Sequence, residues 1–186
     1  IYKASKKSEQ PKLVGKIFDY LGNRLRPTYS YKYSLSGRYK MRYYINQEIS
    51  KKGKTISEFK RIRSDYIDDI VIFEISSILD KLITKVSTSG NEDISSLILR
   101  QLKEFKSSPT EFLDNIKLFP QYMFLSLKFQ DDLPFMACSK IEDILKDYKV
   151  DVSSDNGFTF IKLNIKAQYK RASGQIHIIT ENGSKI

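Results

Sequence analysis

Leu13-Val14-Gly15-Lys16-Ile17-Phe18-Asp19-Tyr20-Leu21-Gly22-Asn23-Arg24-Leu25-Arg26 is the stretch whose reading decides the fold. Leu13 to Phe18 reads as a strand and Leu21 to Arg24 as a turn, because Gly22 and Asn23 tolerate positive φ. Arg24-Leu25-Arg26 starts a return strand. Pro27 ends that strand or confines it to a sheet edge, since proline offers no N–H to a ladder. Tyr29 to Gly37 alternates tyrosine with polar residues and is loop-like. Arg38 to Gln47 (RYKMRYYINQ) is β-prone, and Lys51-Lys52-Gly53-Lys54 is a tight basic turn. Together these pieces predict a small antiparallel β-ribbon unit over residues 1–63, thinly packed for its size.

Downstream the period changes from two to 3.6. Ser64 is placed as an N-cap, followed by Asp65 and by Ile67, Val71, Ile78 and Leu82 at helical spacing. Residues 92–106 form a second amphipathic helix with Ile94, Leu97, Ile98 and Phe105 inward. Ser108-Pro109-Thr110-Glu111 is a capping box opening a third, which runs through Phe112 and Ile116 until Pro120 kinks or ends it. Ser139 to Leu145 is a short helix. Residues 149–153 are then extended, Asp155-Asn156-Gly157 is a turn, and in residues 158–168 Thr159, Ile161, Leu163, Ile165 and Ala167 share one face. Ser173-Gly174 turns into a last strand over 175–180. The expected class is α+β: a β-ribbon unit (1–63), a helical region (64–147) and carboxyl-terminal antiparallel strands (148–186).

Charge is unevenly spread. Of 186 residues, 32 are Lys or Arg and 22 Asp or Glu, giving a net charge of +10. Residues 1–63 hold 17 basic and 4 acidic side chains, net +13, with eight of the 12 tyrosines; residues 64–186 hold 15 and 18, net −3. A basic, Tyr-rich segment on a near-neutral body is the electrostatic pattern of a phosphate-backbone binder. The plainer reading is a lysine-rich solvated face. A membrane surface fits less well, because the cations do not lie on one amphipathic helix. No apolar run approaches the roughly 20 residues of a membrane helix. The mean hydropathy of −0.41 and 40% hydrophobic content argue against a disordered chain.

The usual catalytic and metal chemistries find no residues. One His and one Cys exclude a disulfide framework, a multi-cysteine zinc site and a His-based triad. His177 lies mid-strand, facing away from Ile176 and Ile178, and Cys138, in the apolar Phe135-Met136-Ala137-Cys138, reads as a core residue. Asp151, Asp155 and Lys162 form only a forced nuclease pattern, since the turn signal already explains Asp155. The eight glycines are scattered and make no nucleotide cradle. No cofactor and no metal are expected.

Residues 10–75 resemble the segment that follows the catalytic domain of large serine site-specific recombinases. The resemblance rests on three ordered blocks: Pro11 to Thr28 with Gly22-Asn23-Arg24-Leu25 at its centre, then Arg38 to Gln47, then Lys60 to Val71. Residues 148–182 are similar, more faintly, to the family's later β-segment. In most such recombinases the segment is a zinc ribbon held by two cysteine pairs. Here Asp19 and Gly22 stand about where the first pair would, and Asn46 about where the second begins. The resemblance is thus to a branch that keeps the strands without the metal, with Tyr and Phe packing expected in place of zinc.

The resemblance implies the DNA-binding, carboxyl-side region of a recombinase that inserts or excises a mobile element or prophage. The family's reaction is double-strand cleavage with phosphoserine linkages, subunit rotation and religation. The serine domain that performs it has no match here, so the chain is expected to be non-catalytic and a piece of a longer protein. Its partner is double-stranded DNA, with self-association in the full recombinase, no membrane, and a location in the cytosol or nucleoid. The expected contacts are Lys16, Arg24 and Arg26; Arg38, Lys40 and Arg42; Lys51, Lys52 and Lys54; and Lys60, Arg61 and Arg63. Tyr39 and Tyr43 add sugar or base contacts. Two other readings compete: a protein-interaction or oligomerisation module built on residues 64–147, and an RNA-binding module sharing the Tyr-plus-basic signature.

Overall fold

Side-chain alternation builds the main sheet. In the computed structural model, which describes residues 10–46, 48, 59–88, 92–129, 133–172 and 175–180, β1 is Ile17–Asp19, β2 Leu25–Ser34, β3 Gly37–Asn46 and β4 Arg61–Arg63. Helices α1 (Ser64–Ser87), α2 (Glu92–Ser107) and the single turn α3 (Pro109–Phe112) follow. Next come β5 (Leu113–Phe119), β6 (Tyr122–Phe129), α4 (Phe135–Leu145) and a 3₁₀ turn. The chain continues through β7 (Asp151–Asp155), β8 (Phe158–Ala172) and β9 (Gln175–Thr180). The class is α+β, as the sequence predicts.

The larger sheet runs β1-β5-β6-β8-β7, with β9 on the far part of β8; all its pairings are antiparallel except β1 with β5. One face is apolar: Ile116 and Leu118, Met123 to Phe129 at every second residue, and Thr159 to Ala167 likewise are buried. Helix side chains cover that face, for instance Phe105 of α2 at 4.6 Å between ring centroids from Phe129. One buried cluster runs from Leu13 and Ile17 through α1 to Ala167, so all three sequence segments contribute to a single core.

Several expectations need correction. Residues 113–129 are the hairpin β5–β6 around Pro120-Gln121, not a helix meeting a proline. The capping box opens one turn only, and Ser108 makes no side-chain cap bond. Leu113, Ile116 and Leu118, then Met123, Leu125, Leu127 and Phe129, fill a sheet face, and tertiary burial outweighs the local helix-start signal. Ser64 is the first helical residue, with Arg63 in the cap position. Residues 13–16 form turns, so the first strand is only three residues long and runs parallel to β5; its return is a lone Phe18–Arg24 bridge. Tyr29 to Ser34, expected as loop, is strand. Pro27 sits in β2 at the edge of the three-stranded sheet β2-β3-β4, where its missing N–H faces no neighbour's ladder. The predicted turn at Asp155-Asn156-Gly157 is present, with φ of 50° and 80° at its last two residues. The turns at 51–54 and 173–174 lie outside the described residues.

Candidate nucleic-acid interface

From Tyr20 to Gln47 the chain carries six cations and no acid. Most of this stretch is the hairpin β2–β3, paired over ten residues from Leu25↔Asn46 to Ser34↔Gly37. Leu35 and Ser36 make a two-residue turn. Gly37 (φ 113°) takes a backbone conformation that a side chain would strain, and Ser34 Oγ lies 2.8 Å from Ser36 Oγ. At the root, Leu25, Tyr44 and Asn46 are buried, whereas from Tyr29 to Tyr39 nearly every side chain is exposed; Tyr33 reaches 78%. The hairpin therefore leaves the body as a two-stranded ribbon.

Its two faces differ. The register places Tyr29, Tyr31 and Tyr33 on one face with Arg38, Lys40 and Arg42. There the Arg38 guanidinium lies 3.4 Å from the Tyr31 ring centroid, and Lys40 Nζ lies 3.8 Å from that of Tyr29. Arg42 donates to Gln10 Oε1 at 2.9 Å. The rings hold the cations upright by cation–π attraction while leaving their outer edges to solvent. The other face carries Lys32 and Tyr39 toward the tip and Arg26, Arg61 and Arg63 at the root.

Not every expected contact residue is disposed this way. Lys16 Nζ donates to the carbonyls of Thr110 and Leu113, both at 2.6 Å, tying the β1 loop to the junction of α3 and β5. Burial lowers its pKa, against the pull of Asp114 and Glu111. The Arg24 guanidinium lies over Gly15, where a Cβ would collide with it. Arg63 is bound to Asp65 and to the Tyr66 hydroxyl. Tyr43 is buried under Arg61, whose guanidinium sits 3.6 Å from its ring centroid and reaches Ser30 Oγ at 3.0 Å. Lys60 is exposed beside β4, and Lys51, Lys52 and Lys54 lie outside the described residues. Sequence reasoning missed Tyr29, Tyr31, Tyr33 and Lys32; their signal was the strict alternation of Tyr29-Ser30-Tyr31-Lys32-Tyr33, a strand period.

The ribbon is held at its root by polar bonds. Asp19, fully buried, accepts through Oδ1 from the N–H groups of Leu21 (3.0 Å) and Asn23 (2.7 Å). Its Oδ2 accepts from the side-chain amides of Asn23 (3.0 Å) and Asn46 (2.6 Å). Four N–H donors thus surround one carboxylate where a zinc ribbon would place thiolates. That donor set does not fit zinc, which needs four N, S or O ligands; here the groups facing Asp19 are donors themselves. Among the described residues no three His, Cys, Asp or Glu side chains cluster as a metal site would require. Aromatic packing also joins this region, with Tyr20 against Phe59 (6.3 Å) and Phe59 against Tyr169 (4.8 Å).

A second polar knot fixes the hairpin to α1. The Tyr44 hydroxyl accepts from Leu13 N–H and donates to Asp68 Oδ1, both at 2.8 Å, and Lys12 N–H donates to Asp68 Oδ2 at 2.7 Å. Burial raises the Asp68 pKa to about 6 although those hydrogen bonds pull it down.

Of the residues set aside, Asp151 and Lys162 face each other across β7 and β8 as an ion pair at 3.6 Å. The half-buried Cys138 thiol donates to the Leu133 carbonyl at 3.6 Å. His177 is paired in the β8–β9 ladder opposite Lys170. Among the described residues no helix is long and apolar enough to cross a membrane. No family model, no curated protein and no solved structure matches this chain.

Proposed function

We propose that this chain is a duplex-DNA-binding region, of the kind that lies on the carboxyl side of the catalytic domain in serine site-specific recombinases, and that it holds DNA with the β2–β3 hairpin. The observation that carries the reading is the ribbon itself: an acid-free, projecting hairpin with cations on both faces and three of them propped on or beside tyrosines. A major groove about 12 Å wide admits a two-stranded ribbon. Phosphates flanking that groove meet lysine and arginine ammonium and guanidinium groups, and an arginine can take a guanine edge bidentately. The recombinase assignment adds the sequence resemblance to this geometry; strand exchange belongs to the serine domain that the resemblance implies.

The test is fluorescence anisotropy with duplex DNA across salt. If five to eight cations touch phosphates, log affinity falls against log salt with a slope of about −4.5 to −7. Replacing Arg38, Lys40 and Arg42 together by Ala removes the cations of one hairpin face and reduces that slope by up to about 3. Replacing the exposed helix-side Lys85, Lys103 and Lys146 should change it little. Equal losses from the two triple variants, or binding indifferent to salt, would leave the hairpin a solvated surface and favour the interaction-module reading.

A further inference from the structure

Among the described residues, the second face of the large sheet carries mostly half-buried or exposed side chains, with Ser126 buried among them, and its composition is unusual for a solvated sheet. Across one row the register aligns Phe18, Lys117, Phe124 and Asn164 on β1, β5, β6 and β8. Further along, Lys128 pairs with Phe160, and Tyr122 with Lys166. Phe18, Phe124 and Phe160 are half-buried, and Lys117 and Lys166 are exposed. Lys128 Nζ lies 3.7 Å from the Phe158 ring centroid. Among the described residues, the acids on or beside this face are Asp151, paired with Lys162, Asp155 at the end of β7, and Asp114, whose carboxylate accepts from the Asn115 side-chain amide at 2.6 Å. An antiparallel sheet with one packed face ordinarily turns polar residues to water; here aromatic rings alternate with lysines.

We propose that this face binds single-stranded nucleic acid, with bases stacked on Phe124 and Phe160 and phosphates held by Lys117 and Lys166. A protein partner fits worse, because lysine is depleted from the cores of protein interfaces, whereas lysines are interleaved with the rings here. A duplex fits worse as well: its bases are already stacked, and a broad sheet face cannot enter a groove. Unpaired bases have free π-faces, and aromatic platforms flanked by cations are how single strands are held without sequence preference. The inference stands independently of the duplex reading of the hairpin, since it uses none of the hairpin's residues.

The experiment titrates the full chain with labelled oligo-dT and oligo-rU of about 15 nucleotides and with a duplex of about 20 base pairs. Two variants probe the face: Lys117→Glu with Lys166→Glu, which touches no core residue, and Phe124→Leu with Phe160→Leu, which keeps apolar bulk but removes the rings. Both should weaken single-strand binding, the leucine pair by about fivefold to a hundredfold per base released, while duplex affinity stays within about threefold for the leucine pair. The Arg38, Lys40 and Arg42 triple variant should do the reverse. Preference between dT and rU identifies the sugar of the bound strand, and either outcome supports the platform. Failure of the native chain to bind either oligomer, or unchanged binding in both face variants, overturns the inference. So does loss of self-association in the Glu variant, seen by sedimentation with single-strand binding intact. None of these results bears on the hairpin's duplex slope.

Discussion

Removing the Asp19 carboxylate should unfasten the root of the hairpin. In Asp19→Ala, the buried Asn46 amide keeps its N–H but loses its acceptor, which costs about 1–3 kcal/mol. The three part-buried bonds, from Leu21 N–H, Asn23 N–H and the Asn23 amide, can find water and cost about 1 kcal/mol each. The total is about 4–6 kcal/mol, or a fall in Tm of roughly 10–20 °C for a chain of this size. Asp19→Asn is the sharper variant. It is nearly isosteric but supplies one acceptor oxygen where two are used, so its new amide must face either the two backbone donors or the two side-chain donors. It should cost at least half as much as the alanine. Thermal and urea unfolding of the three proteins, followed by circular dichroism, would give these numbers. An Asp19→Asn protein within about 1 kcal/mol of the native one would mean that aromatic packing, not the carboxylate, holds the ribbon.

Asp68 gives a pH-dependent prediction. Its folded pKa is raised to about 6 from 3.8, so between those values the native state binds more protons than the unfolded one, and its contribution to stability falls as pH rises through that window. The loss is about 3 kcal/mol by pH 7. Asp68→Asn, which does not titrate, should therefore gain on the native protein by about that amount between pH 4 and pH 7; a constant difference across the range would contradict the burial of this carboxylate. Lys16→Met should lower stability by about 1–3 kcal/mol through two lost bonds to carbonyls and leave the salt slope of DNA binding unchanged, whereas a slope reduced by about 0.9 would make Lys16 a phosphate contact instead. Chelator should not lower the Tm, since the groups around Asp19 are hydrogen-bond donors rather than metal ligands; stoichiometric zinc by elemental analysis would refute that reading of the root.

By itself the sequence determined the class and much of the layout. Periodicity alone located α1, α2 and the β7–β8 hairpin, because Ile67 to Val86 repeats at helical spacing and Thr159 to Ala167 at every second residue, and those patterns need no partner to be legible. Composition alone located the basic, Tyr-rich first third, residues 1–63 with net charge +13, because net charge does not depend on folding. What only the tertiary structure decided is where local signals compete or where pairing is remote. Ser108-Pro109-Thr110-Glu111 starts a helix in isolation, but Leu113 to Phe129 gains more by burying alternate residues beneath α2 than by continuing that helix. Tyr29 to Ser34 reads as loop until β3 lies beside it, since its alternating tyrosines stay exposed and bury no apolar face that would mark the period as a strand. The Asp19 knot joins residues 19, 23 and 46, and the Asp68 knot joins 12, 13, 44 and 68. A carboxylate at the end of a strand looks like a surface charge in one dimension, and only when chain segments this far apart converge does its burial force every donor around it into place.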